Sequence, residues 1–161
     1  MSALDDYLGT HQEVRRMIED LRTLLAIEPL HRCGNAKTAY ELLCDLSERL
    51  NSHLTEADHG LYPRLLMHDD PQVQSLAWGF ISGEKPLRQT FSAYYDRWLK
   101  HCEFNFNDEF LTETHQVCAL VERHLNHEAQ ELIPKLIEIG MFRQALRRGI
   151  GSSSHCAFGR L

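Results

Sequence analysis

His11, His53, Glu84, His124 and Glu128 stand where the surrounding pattern calls for apolar side chains. The series Leu4, Leu8, His11, Val14, Ile18 keeps one face of a helix, and a histidine interrupts it. Further on, Leu46 and Leu50 are followed at the same spacing by His53, Ala57 and Gly60. Glu84 falls between Phe80 and Leu87, and Val117 and Val121 lead to His124 and Glu128, one turn apart on one face. A carboxylate or imidazole left alone in a dry core costs several kcal/mol, on the order of a lost buried ion pair, so such groups pair with one another or ligate a metal. Imidazole nitrogens and carboxylate oxygens from several helices suit iron, manganese or zinc, and His11, His53 and Glu128 alone match the two-histidine, one-carboxylate set of non-haem Fe(II).

These residues need long helices to hold them. Apolar residues recur at helical spacing almost throughout, and no stretch alternates as a strand does. The expected helices run from Ala3 to Ala26, from the end of a Glu28–Asn35 loop to Met67, from Pro71 onward, and from Glu109 to Ile139, where Gly140 ends the last. Asp70 before Pro71 reads as an N-cap with proline at the first helical position. The third stripe is Ala77, Phe80, Leu87, Phe91, Tyr94 and Trp98, and Pro86 inside it predicts a kink or a break. Pro63 and Pro134 should bend or stop the second and fourth helices. Four such helices joined by short turns predict an all-α, up-down-up-down four-helix bundle over residues 1–140. A short basic helix, Met141 to Arg148, and a flexible tail make up residues 141–161.

A duplication supports this arrangement. His53 to Leu66 (HLTEADHGLYPRLL) and His124 to Ile137 (HLNHEAQELIPKLI) share His-Leu, a later Leu, Pro, a basic residue and Leu, seventy-one positions apart. Antiparallel neighbours meet at one level when equidistant from their connecting turn. His11 and His53 are equidistant from residue 32, in the first loop, and Ala57 and Glu84 flank the Asp70–Pro71 turn equally. Glu84 is related in the same way to His124 and Glu128 across the turn at His101–Asp108. Three turns thus put every inward polar residue in one slab. Glu56, Asp58, His59 and His127 fall beside the seam and Gln89 off it. Phe80, Phe91, Tyr94 and Trp98 read as core packing.

Composition narrows the function classes. Hydrophobic residues make up 43% and charged residues 25% of 161, and the net charge is -6, so nucleic acid and anionic membrane are not expected partners. No apolar run reaches a membrane span of about 20 residues, and MSALDDYLGT lacks the regions of a signal peptide. Five scattered cysteines without a CxxC fit reduced thiols, and a cytoplasmic protein is the expectation. Cys44 and Cys118 fall away from the polar slab. No phosphate-cradling glycine loop, Ser-His-Asp set or zinc-finger spacing occurs, and an enzyme is not expected.

The arrangement resembles the haemerythrin-like (HHE cation-binding) family over residues 3–139. That family carries a histidine on the first helix, His-x-x-x-Glu with a later Leu-Tyr/Phe-Pro on the second, a histidine on the third, and a second such phrase on the fourth. His11, His53 with Leu61-Tyr62-Pro63, and His124 with Glu128 and Leu132-Ile133-Pro134 match. Ala57 stands where the second helix's carboxylate belongs, and Glu84 is the residue at the level of the missing third histidine. The resemblance implies non-haem iron, one or two ions, and binding or sensing of O2, NO or peroxide, or iron buffering. Ala57 would leave a coordination position open to a small diatomic ligand, and Gly60 would widen the entrance. A metal-free helical interaction module, with histidines paired to Glu84 and Glu128, remains the alternative, and a homodimer is compatible with either.

Overall fold

A computed structural model describes residues 3–26, 33–103 and 107–142, and these fold as an all-α, antiparallel four-helix bundle. The first helix, α1 (Ala3–Ala26), buries His11, Val14, Ile18, Leu21 and Leu25 along one stripe. Its neighbour α2 (Cys33–Glu56) buries Ala36, Ala39, Leu43, Leu46, Leu50 and His53. It starts at Cys33, so the end of the expected loop is already helical; residues 27–32 lie outside the described ones. Asp70 caps α4 (Pro71–Trp98) as the sequence predicts, its side chain accepting from the Gln72 N–H at 2.8 Å. Asn107 caps α5 (Asp108–His127) by accepting from the Phe110 N–H at 2.9 Å.

None of the three prolines ends its helix. Pro86 neither breaks nor ends α4, which runs unbroken for 28 residues. Pro86 and Ser82, whose carbonyl it leaves without its helical donor, are both exposed, so water can satisfy that carbonyl. Pro63 and Pro134 do not stop their helices either. Each is preceded by one wide π turn, π1 (Ala57–Leu61) and π2 (Glu128–Leu132), after which α3 (Tyr62–Leu66) and α6 (Ile133–Glu138) continue. The Tyr62 N–H reaches back five residues to the Ala57 carbonyl, and Ile133 does the same to Glu128. Widening the turn shifts the carbonyl that the proline ring would otherwise strike. The extra residue also rotates the buried face, so that Gly60, expected inward, is exposed, and Tyr62 and Leu65 are buried instead. Gly140, at φ +70°, ends the last helix as predicted. Met141 and Phe142 are helical, and the rest of the expected basic helix and the tail lie outside the described residues.

Cross-helix pairs fix the heights of the helices. Arg22 grips Glu122 with two bonds of 2.7 and 2.8 Å between α1 and α5, and Arg49 reaches Glu13 at 2.9 Å between α2 and α1. Arg97 binds Glu109 at 2.7 Å and also Glu113, tying α4 to α5. Exposed pairs of this kind are each worth roughly 0–1 kcal/mol, so their role here is register more than stability. The apolar interior divides into two clusters. One contains Ile18, Leu46, Phe91 and Val121, and the other Tyr62, Val73, Phe80 and Leu136. His11, His53, Glu84 and Glu128 are buried but belong to neither. No helix among the described residues is long and apolar enough to cross a membrane.

Candidate metal centre

The structure brings all five sequence-predicted residues together. His11 is 4% exposed, His53 3%, Glu84 1% and Glu128 0%, and the His124 side chain is 9% exposed. Glu128, at the first residue of π2, is the common point. Its Oε2 lies 2.9 Å from His11 Nε2 and 3.0 Å from His53 Nε2, and its Oε1 lies 3.4 Å from His124 Nε2. His124 Nε2 is also 3.8 Å from Glu84 Oε1. Three imidazoles from α1, α2 and α5 therefore aim the same nitrogen at one carboxylate.

Only one of those approaches is a formed hydrogen bond. An ionised carboxylate only accepts, so His53 carries its proton on Nε2 and donates it to Glu128. Nε2 of His11 and of His124 are buried with no hydrogen-bond partner among the described residues, although oxygens lie nearby. Close, unaligned nitrogen–oxygen approaches are what ligands around one ion display. Donors about 2.1 Å from a metal and at right angles are about 3 Å apart. Two overlapping groups have this compactness, His11 with His53 and Glu128, and Glu84 with His124 and Glu128, with ligand atoms within 4.8 Å of one another in each.

Sequence reasoning missed three residues that frame the layer. The Tyr7 hydroxyl donates to Glu128 Oε1 at 2.9 Å, and its ring packs 4.9 Å from His11 and 5.2 Å from His53. Tyr7 stands one turn before His11 on the same face, which was a usable signal. The Tyr62 hydroxyl donates to Glu84 Oε1. Arg88, one turn after Glu84, donates to Glu84 Oε2 at 3.1 Å, to Asp58 Oδ2 at 2.6 Å and to the Leu54 carbonyl at 3.2 Å. Glu84 is thus neither exposed nor on a broken helix. Glu56, Asp58, His59 and His127 are exposed, as expected beside the seam, and so is Gln89. Cys118 lies in the first apolar cluster and Cys44 beside it, and burial pushes the Cys118 thiol up to about 11.

The two carboxylates are held in opposite directions. Burial alone would raise Glu128, but the imidazoles of His11, His124 and His53 around it outweigh that and keep it well below the usual carboxylate range. Burial raises Glu84, and Tyr62, His124 and Arg88 offset this only in part. Burial disfavours charge on His53, yet its bond to Glu128 and the charges of Glu128 and Glu84 lift it above its ordinary value. Comparison with protein-family models, with curated proteins and with solved structures finds no match for this chain.

Proposed function

We propose that this chain is a non-haem metal-binding protein of haemerythrin type, with iron as its metal, that binds or senses a small ligand such as O2, NO or peroxide, or buffers iron. The observation that carries the reading is the convergence of three buried imidazole Nε2 atoms on Glu128, two of them without hydrogen bonds. A buried nitrogen left without a hydrogen bond costs about 1–3 kcal/mol, a cost that ligation would remove. The donor set fits the group: His11, His53 and Glu128 would hold one ion, and Glu84, His124 and Glu128 a second. The choice of iron and of gaseous ligands rests on the resemblance of the doubled His-to-Pro phrase. A bound iron would supply a redox-active centre with an open coordination position.

The chain's own residues do the rest. Glu128 supplies the negative charge common to both groups, and Tyr7 orients its Oε1. Arg88 and Tyr62 fix Glu84 from two sides. Glu128 favours the protonated form of His53, so metal uptake at its Nε2 would release that proton to solvent and should weaken below neutral pH. Reversible binding, not turnover, is the reading we favour.

One observation favours the second reading, a metal-free interaction module. His53 and Glu84 bond to Glu128 and Tyr62 within the chain, in a layer where Ala57 supplies no carboxylate. Elemental analysis of protein from iron-supplemented cells separates the two. Iron near or above one equivalent, near-ultraviolet charge-transfer absorption and a raised unfolding temperature on anaerobic Fe(II) addition are expected. Absence of metal with unchanged unfolding would leave only the module.

A further inference from the structure

A trough of about 520 Å³ lies between α4 and α5. Phe80, Leu87 and the mostly buried His124 form its floor, while Arg123 and His127 stand exposed at its rim. Gly79 and Gly83, one turn apart on α4, leave it open. Neither glycine is required by the backbone: both sit inside a regular helix, and a Cβ added at either would meet nothing within 4 Å. Each costs its helix about 1 kcal/mol relative to alanine. Two such positions on one face, with no close packing to explain them, keep space open beside a helix that could have filled it.

An independent observation marks the inner end. His124 lines the trough, its side chain is 9% exposed, and its Nε2 is buried without a hydrogen bond between Glu84 and Glu128. The rim also discriminates by charge. Its lining carries the Arg123 guanidinium and no carboxylate, in a chain of net charge -6. His127 is held at the mouth by stacking on Phe80, with ring centres 4.5 Å apart, and by Glu131 at 3.1 Å. Such a passage favours a small anion over a metal cation.

We infer that this trough is the route by which a small monoanion reaches the Glu84–His124–Glu128 side of the polar layer, and that Gly79 and Gly83 hold it open. The inference rests on the metal-binding reading above. Azide is the probe for metal-loaded protein, followed by stopped-flow absorbance. Gly79→Leu and Gly83→Leu should each slow azide association by about tenfold or more, with metal content unchanged and the unfolding temperature equal or higher. Gly9→Leu, on the exposed side of α1 where a Cβ also meets nothing, should leave the rate alone. Unchanged rates in both α4 variants would overturn the route.

A metal-free measurement keeps the two proposals apart. In chelator-treated protein, diethyl pyrocarbonate should label His124 several-fold faster than His11 or His53, read by peptide mass spectrometry, and Gly83→Leu should abolish that preference. Equal labelling of the three imidazoles overturns the trough as a passage whether or not metal binds. A wild-type chain that takes up no metal overturns the anion assignment together with the functional reading, and the labelling pattern then reports on the passage alone.

Discussion

Among the described residues, two places bury polar side chains, and they solve the problem differently. Toward the α4–α5 turn, Thr114 Oγ1 donates to the Phe110 carbonyl at 2.6 Å, so the Tyr94 hydroxyl, 2.7 Å away, must be the donor to Thr114. That chain of bonds leaves neither hydroxyl unsatisfied at 0% and 3% exposure. In the His/Glu layer, His11 and His124 each keep a buried nitrogen without a hydrogen-bond partner among the described residues. The same helices can satisfy buried polar atoms where nothing else is asked of them. The contrast separates a satisfied polar pair from a cluster that leaves two buried nitrogens without a protein hydrogen bond.

The largest expected effect follows from cutting the common point of the layer. Glu128→Gln keeps the volume but removes the charge that both ligand groups share, so metal content measured by elemental analysis should fall to background. The metal-free variant should lose about 3 kcal/mol in chemical denaturation, because the His53 proton loses its ionised acceptor. Retention of metal would place the binding elsewhere. Ala57→Glu sharpens the comparison from the other side. Ala57 opens π1 as Glu128 opens π2, and both are buried, so a glutamate there enters at the equivalent point of the repeat. Chelator competition should show metal held about tenfold or more tightly. The metal-free variant should be less stable, since it buries another carboxylate beside two already present.

Acidity gives a smaller effect with a defined sign. Glu128 is held below its ordinary value of 4.5, so its contribution to metal-free stability is present above that value and fades as pH falls through the folded one. His53 is held above its ordinary 6.5, so its contribution is full below 6.5 and is lost as pH rises through the folded value. Glu84, raised from 4.5, also works against stability as pH climbs. Metal-free protein should therefore be most stable between the ordinary values of Glu128 and His53 and weaker at about pH 8 than at about pH 6. His53→Ala should flatten that decline. A slope unchanged in the variant would remove His53 from the account.

Much of the layer was legible in the sequence because depth in an antiparallel bundle follows from distance to the turn. That counting placed His11 with His53 and Glu84 with His124, and both pairings hold in the fold. It went wrong where the count itself changes. The wide turn before Pro63 adds a residue, so Gly60 turns outward and Tyr62 turns inward, its hydroxyl reaching Glu84. A proline inside a helical pattern announces that a carbonyl must be rehoused, without saying whether a π turn or water will do it. The two repeats took the first course, while at Ser82–Pro86 the carbonyl stays in an exposed stretch of α4. Arg88 was missed because only cross-helix geometry shows that one guanidinium serves Glu84, Asp58 and the Leu54 carbonyl together.

The smallest effect is expected from the satisfied pair. Thr114→Val keeps the shape of the side chain but removes the hydroxyl between Tyr94 and the Phe110 carbonyl. The Tyr94 hydroxyl then loses its acceptor inside the first apolar cluster, so the cost should be about 1–3 kcal/mol in denaturant unfolding. Tyr94→Phe combined with Thr114→Val removes both polar partners and should recover part of that loss, as pairs replaced by apolar groups of the same shape do. Metal content should not change in either variant, since neither residue lies among the layer's donors. A drop in metal on removing Thr114 would mean that the two buried polar regions are coupled through α5, and the distinction between a structural pair and a ligand set would no longer hold.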